Sequence, residues 1–75
     1  MMDIEKEISC KIKEIRIMRG FSQSQLARYM GVTQGYVSAI ESGEYAVGLK
    51  VLKNIAEILK FEIKIVPKKL NDGSY

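Results

Sequence analysis

The chain has no histidine, a single cysteine and a single proline, and no uninterrupted apolar run longer than the three residues Tyr45-Ala46-Val47. Each scarcity excludes something. Without histidine the commonest general acid–base group is missing. No carboxylate pair shares a face, no glycine loop is built to cradle phosphate, and the only thiol, Cys10, lies in an amphipathic stretch. One cysteine supplies neither an internal disulfide nor a metal-ligand set. No run is long enough for a transmembrane helix or the apolar core of a signal peptide. The expectation is a cytoplasmic protein that is not an enzyme and needs no metal or cofactor. Repeats, low-complexity segments and linkers are also missing.

A further absence is local. Residues 15–40 contain no acid at all, yet carry Arg16, Arg19 and Arg28. The acids fall at Asp3, Glu5, Glu7 and Glu14 and resume at Glu41. The net charge is only +3, so placement matters more than total. A basic central stretch suits a phosphate-facing surface, and a solvated helix face would look the same by charge alone.

What is present fills one small domain, residues 1–75. A chain of this length buries only about 60% of its unfolded surface, so association with a second copy would be a useful addition to its core. Apolar residues make up 47% and charged residues 28%, the balance of a globular chain and not a disordered one.

Ile4, Ile8, Ile12 and Ile15 recur at helical spacing and predict a first helix over about residues 4–19, ended by Gly20. Ser22 followed by Gln25 reads as a capping box for a second helix, about 23–30, with Leu26, Ala27 and Met30 inward and Gly31 as its terminator. Thr33 caps a third, about 34–42, that turns Val37 and Ile40 inward. After a loop, Gly48 opens a fourth, about 49–60, lined by Leu49, Leu52, Ile55, Ala56 and Leu59. The period then changes: Phe61, Ile63 and Ile65 alternate with Glu62 and Lys64 until Pro67, which predicts a strand over about 61–66. Residues 68–75 read as a polar tail.

The stretch "FSQSQLARYMGVTQGYVSAIESGEY" places two helix starts only eleven residues apart, at Ser22 and Thr33. Ala27 is small enough for the next helix to cross closely, and Gly31 makes the turn without steric cost. Val37 and Ile40 pin the third helix by one face and leave Gln34, Gly35, Tyr36, Ser38 and Ala39 on the other. That is a helix-turn-helix, whose second helix is free to enter a DNA major groove.

From Ile8 to Leu59 the chain resembles the lambda-repressor-like (Xre/Cro) helix-turn-helix family, through "IKEIRIMRGFSQSQLARYMGVTQGYVSAIESG" and the later "LKVLKNIAEIL". The resemblance implies a mainly α, compact fold, double-stranded DNA as partner, dimeric operators and a regulatory role. By the family pattern Gln34, Gly35, Tyr36 and Ala39 face base edges, while Gln23, Thr33 and Ser38 meet phosphates. Arg19, Lys50 and Lys53 are further candidates for phosphate. Gln suits a bidentate pair with adenine, and an alanine methyl or tyrosine ring suits a thymine methyl. Ala39 and Glu44 depart from the pattern, since many relatives carry Arg or Lys at those positions.

The chain's end departs as well. Most relatives continue into a fifth helix, whereas "KFEIKIVPK" is β-branched and alternating, like the terminal strand of the HipB-like antitoxins. A lone strand leaves its backbone groups unpaired, and a second copy paired about a twofold axis would supply the missing neighbour. The expected homodimer interface is Val51, Ile58, Phe61, Ile63 and Ile65. Ile17 and Met18 are apolar beyond what the first helix needs and read more readily as surface residues than as a partner surface. The leading expectation is a homodimeric repressor that binds an inverted-repeat operator. The strand likeness implies an alternative, an antitoxin that binds a toxin protein and represses its own operon. An adaptor that uses the fold without DNA would bind no DNA in a salt-sensitive way.

Overall fold

The computed structural model describes residues 3–67. Four helices follow one another: α1 (Ile4–Met18), α2 (Gln23–Met30), α3 (Gln34–Glu41) and α4 (Leu49–Leu59). The mainly helical architecture expected from the periodicity is therefore present. Their starts are set by local side chains. The Asp3 carboxylate accepts from the Lys6 N–H at 2.9 Å and caps α1. Ser22 and Gln25 form a reciprocal capping box on α2, each side chain accepting the other's backbone N–H. Thr33 Oγ1 accepts from the Tyr36 N–H and caps α3. Gly48 opens α4 with no side-chain bond. Between α2 and α3 the turn is made by Gly31 at φ 74°, a left-handed conformation that costs glycine nothing.

Helices α3 and α4 each pack against α1 and α2. The centre between them is Ile12, Leu26, Ala27, Val37, Ile40, Leu52, Ile55 and Leu59, at least one residue from each helix. Met30, expected inward, is partly buried at its edge, and Ile8 and Ile15 flank it in the same way. The apolar stripes fail at helix starts: Ile4 is exposed, and Leu49 is 80% exposed. Each opens its helix before a neighbour is reached to cover it. Among the described residues, no buried side-chain nitrogen or oxygen lacks a partner.

The expected strand is not formed within the single chain. Residues 61–67 carry no strand pairing, because a ladder needs a neighbour and no described segment provides one. Phe61 turns back onto the core and is half-buried, whereas Ile65 is 98% exposed. The turn into this segment is unusual, since α4 ends at Lys60 with φ 62°, the one non-glycine residue in that region among those described. Arg19 holds it: Nε donates to the Leu59 carbonyl at 2.8 Å and Nη2 to the Lys60 carbonyl at 2.9 Å. Those are terminal carbonyls of α4, and a guanidinium satisfies them as well as complementing the negative end of the helix. The expected polar tail lies outside the described residues.

Candidate nucleic-acid interface

The outer side of α3 is built from its first turn. Gln34 and Gly35 are exposed, Thr33 beside them is exposed, and Tyr36 and Ser38 are half-buried. Thr33 spends its oxygen as the helix cap and keeps the hydroxyl proton, which is the part a phosphate would use. Lys50 and Lys53 are exposed on α4.

Gln34 does not hang free. Its Nε2 donates to Gln23 Oε1 at 2.6 Å, and Gln23 Nε2 donates to Glu41 Oε1 at 3.1 Å. Glu41 in turn accepts from Arg16 through Nε at 2.6 Å and Nη2 at 3.0 Å. The third Arg16 nitrogen, Nη1, donates to the Phe21 carbonyl at 2.7 Å, just before α2 begins. A two-point ion pair buried between α1 and α3 thus anchors a relay of two amides that ends at the surface. Each primary amide has two N–H donors and one acceptor oxygen. Gln34 uses one donor internally, so it retains the oxygen and one N–H, the two groups a bidentate contact to adenine requires. Gln23 likewise retains one N–H.

Two expected site residues are placed elsewhere. Ala39 is only 9% exposed and so does not lie on the open face. Its carbonyl, near the end of α3, anchors the following loop, accepting from Glu44 N at 2.9 Å, Ser42 Oγ at 3.0 Å and Tyr45 N at 3.4 Å. Arg19, expected at phosphate, has two of its nitrogens committed to the end of α4. With Arg16 buried in its ion pair, two of the three arginines in the acid-free stretch have structural duties, and the third, Arg28, is exposed. Less of that stretch's positive charge is therefore free to face phosphate than the sequence alone suggests. Of the expected interface residues, Val51 and Ile58 pack partly against the core, and Phe61 does the same.

The sequence reading places neither Arg16 nor Glu41 at the site. Both could have been found by period: Arg16 lies four residues after Ile12, and Glu41 four after Val37, so helical spacing puts both charges on buried faces. Opposite charges on inward faces imply a pair.

Gly35 has no structural reason to be glycine. A Cβ built there would meet nothing nearer than Thr33 Oγ1 at 4.0 Å, and its φ is ordinary. Gly35→Ala should therefore stabilise the domain by up to about 1 kcal/mol through helix propensity. A thermal melt without DNA should show a rise, at most about 4–8 °C; a fall would mean that the first turn of α3 is strained in a way its geometry does not reveal.

A capped turn between two short helices, with an amide-bearing first turn exposed on the second, defines a helix-turn-helix DNA-binding domain. Residues 12–65 match the model of the helix-turn-helix family, and the chain belongs to that family, in its Xre or lambda-repressor-like branch. It is similar to an uncharacterized helix-turn-helix-type transcriptional regulator of Bacillus subtilis, YgzD, at 36% identity over 56 residues, 75% of this chain and 85% of that protein. A second such regulator, y4dL of Sinorhizobium fredii, is 35% identical over 65 residues, 87% of this chain but only 33% of that protein. The 10 kDa protein of the ImmF control region of Bacillus phage phi105 is 28% identical over 61 residues, 81% of this chain and 68% of that protein. This chain thus spans a third of one relative and most of another. Among the described residues, no helix is long and apolar enough to cross a membrane.

Proposed function

We propose that the protein is a sequence-specific transcriptional repressor that binds an inverted-repeat operator as a homodimer. The observation that carries this reading is the amide relay. A surface glutamine held at 2.6 Å by a second glutamine, itself tied to a buried ion pair, is oriented before any ligand arrives. Preorganisation of that kind suits hydrogen-bond readout of a base edge, because less side-chain entropy is lost on binding. Gln34, Gly35 and Tyr36 read bases, while Gln23, Thr33, Ser38 and Lys50 meet phosphates. Family membership supports DNA as the partner. The names of the B. subtilis and S. fredii relatives support regulation, and the phage relative from a control region is in keeping with a repressor.

The dimer rests on the C-terminal segment. Ile63 and Ile65 are exposed, and residues 61–66 have the alternation of a strand with no pairing partner among the described residues. Pairing two such segments antiparallel about a twofold axis would supply the ladder, with Val51, Ile58 and Phe61 behind it. Recognition helices about 34 Å apart would then meet successive major-groove faces.

Binding-site selection from random duplex DNA tests the reading. The expected product is an inverted repeat. Gln34→Ala should cost about 1–3 kcal/mol on the best site and relax preference at one base position. Because Gln23 holds Gln34, Gln23→Ala should lower overall affinity and blur that same position, instead of weakening all sequences alike. Absence of DNA binding even at low salt would leave the adaptor reading standing; an unchanged site preference in Gln34→Ala would refute the assigned reading helix.

A further inference from the structure

The loop after α3 holds an aromatic residue, Tyr45, that lies outside the core cluster. Tyr45 is 53% exposed, yet its ring packs on that of Tyr36, with centroids 6.0 Å apart and planes inclined by 38°. Its backbone is fastened too. The Glu44 and Tyr45 N–H groups both point to the Ala39 carbonyl, which also accepts from Ser42 Oγ, and Gly43 makes the intervening turn at φ 82°. The loop is therefore tied to the helix that it follows, and Tyr45 is delivered against Tyr36 by three donors on a single acceptor.

Tyr36 stands in the first turn of α3 and is half-buried, with one side against the core cluster. Left alone, the rest of its ring would be free to change rotamer. An inclined aromatic pair at this separation is an attractive arrangement, and here it supports the Tyr36 ring from the following loop while part of that ring stays open.

We propose that Tyr45 is a positioning and specificity-determining residue of the DNA surface, acting through Tyr36 by fixing the direction in which that ring meets an apolar base edge such as a thymine methyl. The assignment rests on Tyr36 reading bases, as proposed above. Tyr45 contributes its ring and not its hydroxyl, which sets it apart from a phosphate contact, where the hydroxyl is what matters.

Site selection with Tyr36→Ala first identifies the base position that Tyr36 reads. Tyr45→Ala should then lower discrimination at that same position by about 2- to 10-fold, with other positions unchanged. Tyr45→Phe should restore it. In the free protein, the Tyr36 ring-proton resonances should move in Tyr45→Ala and stay in Tyr45→Phe, since the neighbouring ring current is lost in the first only. Resonances unmoved in Tyr45→Ala mean the rings do not pack and overturn the proposal without reference to DNA. A preference intact in Tyr45→Ala but erased in Tyr36→Ala overturns it as well, as does a loss in Tyr45→Phe equal to that in Tyr45→Ala. A site logo unchanged by Tyr36→Ala removes the base-reading premise, and the proposal fails with it.

Discussion

Glu41→Ala is expected to cost the domain about 3–5 kcal/mol, the usual penalty for stranding one charge of a buried pair. The Arg16 and Glu41 side chains are 9% and 3% exposed, so the abandoned guanidinium would have little access to water. Two of its donors lose their acceptor oxygens, and only the bond from Nη1 to the Phe21 carbonyl remains. A domain of 75 residues has a total stability of only about 4–11 kcal/mol, so the variant should be partly or wholly unfolded near physiological temperature. Chemical denaturation of both proteins reads this directly; a loss under about 1 kcal/mol would mean that the pair is solvated. The double variant Arg16→Met with Glu41→Leu should recover most of the stability, since replacing both partners of a buried pair by apolar residues is often neutral or better. It should not recover base preference, because Gln23 would have lost the carboxylate that positions it and Gln34 would lose its support in turn. A stable double variant with an unchanged operator preference would separate the ion pair from recognition altogether.

Much of this structure is written locally in the chain. Ser22, Gln25, Gly31 and Thr33 act on backbone groups within a few residues of themselves, and Leu26, Val37 and Ile40 follow a single helical period, so the turn and the inward faces are readable without tertiary knowledge. What escapes that reading depends on distant partners. Arg19 bonds carbonyls forty residues away, and its charge alone cannot distinguish a helix terminator from a phosphate ligand. Ala39 sits where the helical wheel offers an outer position, yet the assembled fold leaves it only 9% exposed. The Gln23–Gln34 contact joins two residues whose types were already suggestive; their coupling emerges only when α2 and α3 cross.

The proposed dimer makes its strongest demand on Ile63. In the single chain this side chain is 48% exposed and lines an open groove of about 680 Å³ with Ile8 and Ile15 of α1 and with Phe61. Glu62 and Lys64 on either side of it pair with each other at 3.2 Å, as neighbours two apart can in an extended backbone whose alternate residues face oppositely. Covering Ile63, Ile65 and the open part of Phe61 with a second copy would recover part of the roughly 1.5–3 kcal/mol that each such side chain is worth when fully buried. Summed over both protomers, with Val51 and Ile58 in support, that gain can exceed the entropy cost of association. Ile63→Lys places an ammonium on the twofold seam of both copies at once. The isolated chain should tolerate it, because a lysine stem can lie along the groove with its head in water. The expected result is a monomer with unchanged helical circular dichroism. Its affinity for a complete inverted repeat should fall by about 10²–10⁴-fold, the advantage that linked binding confers, while affinity for an isolated half-site stays near that of the unaltered protein. Sedimentation equilibrium together with titrations of full and half operators measures all three. A variant that remains dimeric, or an unaltered protein that sediments as a monomer at tens of micromolar, would place the dimer contact elsewhere or remove it.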